Sequence, residues 1–408
     1  MKINMNRRQL LQCLVSMAAL PGITYSSQLL AAPATQNRLL LVFLRGAYDA
    51  SNFLVPTASD FYYESRPTIA IRRPGNEPGA AIALNADWGL HPALRDTLYP
   101  MYQSKEIAFI PFAGIDDVSR SHFETQDSIE LGQALNTTRN FHSGFLNRLA
   151  AVINGGKNDG KSAPAMAFTD QLPLILQGNV QVGNTALKSI AKSGLNEHQN
   201  QLIEQMYRKT ALAQQVNEGF AVRQEVVKEM QEEMNAANRN AISTKGFELE
   251  AQRIARMMRE KYALGFIDVG GWDTHVNQGA ETGVLANKFE ELGRGLLAYK
   301  NAMGDQWRNT TVVVISEFGR TFRENGKRGT DHGHGSVYWV LGGSVRGGQI
   351  YGEQVTLTPS QLFQNRDYPV LNEYRAVLGG LFSRIYGLNP RQLDTVFNGI
   401  KGRDLGLI

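Results

Sequence analysis

The stretch RGTDHGHGSVYW, Arg328 to Trp339, sets Asp331, His332 and His334 among glycines, with two of the chain's seven histidines two positions apart. Imidazole is the side chain most often found on protein-bound metal, and flanking glycines let the backbone carry it into a site. Two histidines beside a carboxylate could also pass a proton without metal; the metal reading is preferred. In GFIDVGGWDTHVNQG, Asp273 and His275 follow an apolar run and two glycines. A carboxylate and an imidazole two positions apart in such a loop can turn towards one point, and both ligate divalent metals.

Three further stretches offer partners. SRSHFETQD carries Ser119, Arg120, Ser121, His122, Glu124 and Asp127 where a helix is expected to begin. Ser121 and Glu124 have the spacing of a capping box, in which hydroxyl and carboxylate satisfy free backbone N–H groups. The same helix start, with its positive dipole end and open donors, would hold an anionic ester that a serine could attack. LRGAYDASN places Asp49 just after an apolar run, where aspartate by itself reads as a turn or cap residue; Arg45 and Gly46 add an anion's approach to bare backbone. Glu317 and Arg320 follow another apolar run in VVVISEFGR.

These loops need elements to hold them. Leu39–Leu44, Ile107–Phe112, Ala263–Ile267, Thr311–Ile315 and Val337–Leu341 are continuous apolar runs, as expected of strands buried on both faces of a parallel sheet. Helices are expected over about 92–103, 123–135 and 285–303, the last with Leu285, Phe289, Leu292 and Leu296 on one face. Strands alternating with helices predict an α/β fold, a mostly parallel, doubly wound sheet between helix layers. Ligands of such sheets bind beyond the carboxyl ends of the strands, which is where the polar loops fall. The segment 196–261 is long, polar and free of proline, and is expected to form a long helical insertion.

Residues 1–34 have the layout of a secretory signal: Lys2, Arg7 and Arg8 precede an apolar run from Leu10 to Ile23 that ends near Ala32-Pro33-Ala34. The paired arginines in NRRQLLQ resemble the twin-arginine export signal, which implies the translocation machinery as a partner and a periplasmic or secreted protein. The apolar run is shorter than the roughly 20 residues a spanning helix needs, so no stable membrane span is expected once the signal is removed. Cys13 is the only cysteine and would leave with it, excluding disulfides, cysteine-held metal and thiol catalysis. The net charge of +4 loses the three cations Lys2, Arg7 and Arg8 and no acid, leaving +1, which argues against a nucleic-acid partner. The expected organisation is a signal over 1–34 and one α/β domain over 35–408.

Taken in order, LRGAYD, SRSHFETQD, GGWDTH, SEFGRT and TDHGHG resemble the DUF1501 family of exported bacterial proteins, which is itself similar to the alkaline phosphatase and sulfatase superfamily. The resemblance implies an alkaline phosphatase-like sheet, a nucleophile at a helix start, and one or two metals at the strand ends. Matched by motif, Ser121 or Ser119 is the nucleophile; Arg45, Arg120 or Arg320 would clamp the anionic oxygens. Asp49, Asp273, His275, Glu317, and His332 or His334 are the implied metal residues. One departure stands out: the superfamily's late Asp-His pair is Glu317-Phe318 here, which keeps a carboxylate and loses an imidazole. The implied activity is exported, metal-dependent hydrolysis of a small phosphate or sulfate ester. Zinc is the first choice of ion, with manganese, magnesium or calcium as alternatives. A non-catalytic binding or assembly factor with a degenerate site is the alternative, and a metal-dependent oxidoreductase a third reading.

Overall fold

The structure, a computed structural model, describes residues 36–155, 165–185, 206–208, 210, 212–213 and 246–408. The expected signal over 1–34 and most of the expected insertion over 196–261 lie outside the described residues. Eight strands form the central sheet: Arg38–Leu44 (β1), Ile107–Gly114 (β2), Ala165–Ala167 (β3), Gly183–Asn184 (β4), Leu264–Val269 (β5), Thr310–Ser316 (β6), Ser336–Gly342 (β7) and Asn372–Glu373 (β8). Their order across the sheet is β8-β2-β7-β6-β1-β5-β3-β4. Every neighbouring pair is parallel except the two that β7 makes, so β7 alone runs backwards. All five expected strands are present, in the mostly parallel α/β sheet that their uniform apolarity implied.

Because side chains alternate along a strand, β1 feeds two cores. Leu40, Val42 and Leu44 join the cluster under helices Phe247–Glu260 (α3) and Val284–Met303 (α4), while Leu39, Leu41 and Phe43 join the opposite one. That opposite layer is built from Phe145–Ile153 (α2) and Tyr374–Tyr386 (α5). Burying each such side chain contributes about 1.5–3 kcal/mol, and a strand with no polar face cannot leave the sheet.

Three helices differ from expectation, and the one expected over 123–135 spans His122–Leu131, stopped by Gly132 in a left-handed cap at φ 62°. The one expected over 92–103 is a 3-10 turn at Pro92–Leu94 followed by a helix at Leu98–Gln103. The restart puts Pro100, which has no N–H to donate, inside a first turn where none is needed. The end of the expected insertion is α3, which is a layer helix: Phe247, Ala251, Ile254, Ala255 and Met258 are buried, and the helix packs along α4. Among the described residues no helix is long and apolar enough to cross a membrane.

The reversal of β7 is what matters for the loops. The segments after β1, β2, β5 and β6 leave the sheet at one edge, and the segment preceding β7 enters at that same edge. There the chain from Gly319 to Thr321 pairs with Asp331 to His334: Gly319 N donates to His334 O, Gly333 N to Gly319 O and Thr321 N to Asp331 O, at 2.8, 2.8 and 2.9 Å. A Cβ on Gly333 would sit 2.5 Å from the Arg320 carbonyl, so only glycine permits this approach.

Candidate metal centre

Four side chains from three of these segments converge. His122 Nε2 lies 3.0 Å from His332 Nε2, which lies 3.1 Å from His275 Nε2. Asp273 Oδ1 is 2.8 Å from His275 Nε2 and 3.4 Å from His332 Nε2, and its Oδ2 is 3.6 Å from His122 Nε2. One ligand atom each from His122, Asp273 and His332 fit within 4.8 Å of one another, a group that could hold a metal ion.

Local structure explains each position. His122 is the first residue of helix His122–Leu131 (α1), whose N-cap is Ser121; the preceding Arg120 is left-handed at φ 51°, which turns the chain into the helix. Asp273 and His275 leave the end of β5 through Gly270 and Gly271. The loop after β1 closes against them. Gly46 has φ 111°, and a Cβ there would stand 2.7 Å from Asp273 N. His332 is carried by the Arg320–His332 bridge.

The opposite nitrogen of each ring has an acceptor within reach. His122 Nδ1 is 2.7 Å from Glu317 Oε1, His275 Nδ1 is 3.1 Å from Asp331 Oδ1, and His332 Nδ1 is 3.0 Å from the Arg120 carbonyl. Glu317, Asp331 and the Arg120 carbonyl are acceptors, which suits a proton on each Nδ1. His275 Nε2 also faces an acceptor, Asp273 Oδ1 at 2.8 Å, a contact that calls for a proton or a cation between them. The Nε2 atoms of His122 and His332, 3.0 Å apart, likewise repel unless a proton or a cation is shared there. Histidines on metals characteristically donate their other N–H to a carboxylate or carbonyl, as all three do here.

Electrostatics keep the set ready. Desolvation acts to raise the Asp273 pKa, but the Arg320 hydrogen bond and charge, then His275 and His122, outweigh it and hold the carboxyl below its usual range. Burial acts the same way on Glu317 and is overcome by hydrogen bonds from His122 and Gln126, so it too stays ionised. Burial lowers the His332 pKa, helped by His122 and Arg320, which favours the neutral ring that a metal needs. Phe318 fills the wall: its ring stacks on His122 at 4.9 Å and lies 5.4 Å from that of His332.

Several expected site residues are placed elsewhere. Asp49 is fully buried and holds Arg66, which touches both of its oxygens, while Gln278 Nε2 donates to Oδ2 at 2.7 Å. It is a structural ion pair, not a ligand. His334 points away from the cluster: its Nε2 meets Asp116 Oδ1 at 3.2 Å and its ring stacks on Phe363. Of the two histidines in TDHGHG, His332 is therefore the one in the site. Glu317 stands behind His122 instead of facing the cluster.

The three arginines expected to clamp an anion are each occupied by an acid. Arg45 bonds Asp268 at 2.7 Å and Glu130 at 2.9 Å, Arg120 bonds Asp367 at 2.8 Å, and Arg320 bonds Asp273 at 2.6 Å. Ser121 Oγ accepts from Glu124 N at 3.5 Å, a long capping bond, and sits beside His122 in the chain. His122 itself is the residue that sequence reasoning passed over. Its only signal was its place directly after the capping serine, because the partners of its ring are 195 and 210 positions away.

The chain belongs to the DUF1501 family, described as a protein of unknown function, whose model matches residues 36–397. No curated protein matches it. In structure it is similar to Ps i-CgsB in complex with k-i-k-neocarrahexaose, at 11% identity and a TM-score of 0.40 over 91% of this chain and 75% of that one. It is likewise similar to a protein in the alkaline phosphatase superfamily from Vibrio parahaemolyticus, at 10% identity and a TM-score of 0.35 over 91% of this chain and 78% of that one. A second structure of Ps i-CgsB gives 12% identity and a TM-score of 0.38 over 91% and 75% of the two chains. Overlaps this loose leave the activity to be argued from the site alone.

Proposed function

We propose that the chain is an exported metal-dependent hydrolase of a phosphate or sulfate ester, its ion held by His122, His275, His332 and Asp273. The observation that carries the reading is the convergence of the Nε2 atoms of His122, His275 and His332 with Asp273, while each Nδ1 has an acceptor of its own. A set of three imidazoles and one carboxylate suits zinc or another first-row transition ion; magnesium and calcium prefer oxygen ligands. Such an ion supplies Lewis acidity that draws charge from an ester's oxygens.

The chain's own residues do the rest. Arg320 holds Asp273 by one oxygen and keeps it ionised. Glu317, Asp331 and the Arg120 carbonyl keep the rings turned inward. Ser121, at the start of α1, would attack the ester with the open N–H groups of that helix beside it. Metal content of the purified protein tests the first claim against an Asp273→Ala/His275→Ala variant; equal and negligible metal in both would sink it. Turnover of phosphate monoesters, phosphate diesters and sulfate esters tests the second. Loss of turnover in Ser121→Ala is expected, and unchanged turnover would remove Ser121 from the mechanism.

One observation favours the alternative of a metal-holding binding or assembly factor: Arg45, Arg120 and Arg320 are all occupied by carboxylates, leaving no free guanidinium fork for an anion among them. Bound metal with no ester turned over would select that alternative.

A further inference from the structure

We infer that Glu317 is a positioning residue that sets the metal affinity of His122 from behind, without touching the ion. The inference rests on the proposed metal centre and goes beyond it by giving a role to a carboxylate outside the converging set.

Glu317 is fully buried. Its Oε1 accepts from Gly46 N at 2.8 Å, His122 Nδ1 at 2.7 Å and Gln126 Nε2 at 2.9 Å, and its Oε2 lies 2.9 Å from Ser316 Oγ, whose one proton has a closer acceptor in the Leu44 carbonyl at 2.6 Å. Of these partners none is a permanent cation. The nearest guanidinium in the network, Arg45, reaches only the far end of Gln126, bonding its Oε1 at 2.8 Å, and is itself held by Glu130 and Asp268. A buried carboxylate with no opposite charge is costly, so an unpaired Glu317 would be a liability. Among its described partners only the His122 ring, whose Nε2 faces the candidate metal cluster, can bring positive charge to it.

An ion there pairs with Glu317 through the imidazole. The carboxylate in return fixes the tautomer and makes Nε2 a stronger donor. Two features keep the geometry tight: Phe318 stacks on the His122 ring, and the peptide at Gly46 that donates to Glu317 is wedged against Asp273 N. Glu317 thereby senses both ligand loops, since Gly46 lies against the β5 loop and His122 begins α1.

The test measures the affinity of the metal-stripped full chain for Zn2+ alone and Mn2+ alone, by competition with a chromophoric chelator. The wild type is compared with Glu317→Gln, which keeps an acceptor for Nδ1 and removes the charge, and with His122→Gln. Glu317→Gln is expected to weaken binding about 10- to 100-fold, and less than His122→Gln does. Equal affinity in Glu317→Gln and wild type would overturn the inference while leaving the metal centre standing, as would a loss matching that of His122→Gln, the mark of a direct ligand. Failure of the wild type to bind either ion would overturn the metal centre itself. Nitrogen-15 imidazole spectra of the zinc-loaded wild type give a readout independent of whether the variants fold: a protonated His122 Nδ1 is expected, and a metal-bound Nδ1 would refute the assignment.

Discussion

His332 is the hub of the cluster, and its removal is the sharpest test of the site. Its Nε2 is 3.0 Å from that of His122, 3.1 Å from that of His275 and 3.4 Å from Asp273 Oδ1. Zinc held by four side chains binds with roughly 10–16 kcal/mol, so an equal share for one ligand is about 3 kcal/mol. That is about 100-fold in Kd. With free zinc at 100 times the wild-type Kd, binding stabilises the wild type by about 2.7 kcal/mol and a variant weakened 100-fold by only about 0.4 kcal/mol. In melting temperature the zinc-dependent rise should shrink from about 3 °C to about 0.5 °C in a chain of this size.

The assay is thermal unfolding of the wild type and His332→Gln, each with zinc and with a chelator. Two controls separate the site from its surroundings. His334→Gln alters the histidine two positions on, whose ring is turned to Asp116 and Phe363, and should keep the full rise. Asp49→Asn leaves the fully buried Arg66 without its counter-charge, a cost of about 3–5 kcal/mol in the baseline, yet should also keep the zinc increment. An undiminished rise in His332→Gln, or its loss in His334→Gln, would refute the placement of the ligands.

His91 makes a pH prediction unconnected with metal: burial pushes its pKa down from an ordinary 6.5 to about 4, only partly opposed by the Ala280 carbonyl, Asp49 and Glu281. Its Nδ1 accepts from Ala93 N at 3.1 Å, so a second proton has no room there. Between these two values the unfolded chain takes up a proton that the folded chain refuses. Stability therefore falls as pH drops from about 6.5 to about 4, by up to roughly 3 kcal/mol. Urea unfolding across that range should show a shallower pH slope for His91→Asn than for the wild type, and equal slopes would discard the assignment. The export proposal is checked by fractionation: changing Arg7 and Arg8 together to lysine should hold the precursor in the cytoplasm, and unimpaired export would remove the twin-arginine route.

Much of the frame was legible in the order of residues. Uniformly apolar runs such as Leu39 to Leu44 and Val312 to Ile315 have no polar face to show to water, so they had to become inner strands of a covered sheet. The polar stretches between them had to be loops at the strand ends. Asp273, His275 and His332 were recognisable as candidate ligands from their chemistry and their flanking glycines, and the fold brings the three together. Residue types thus pointed to the sheet, the loops and three of the four converging side chains.

What the order of residues left open was direction and partner. A histidine preceding a strand reaches the same edge as a carboxylate following one only if that strand runs backwards. The reversal of β7 is decided by how it pairs with β2 and β6 across the sheet. Asp49 occupies the place expected of a ligand, but Arg66, seventeen positions on, folds over and takes both its oxygens. Glu317 looks like a ligand in the chain and faces His122 in the fold. The cause is the same each time: which atom a carboxylate or imidazole turns towards depends on hydrogen-bond donors brought close by folding, and local sequence carries no record of their distance.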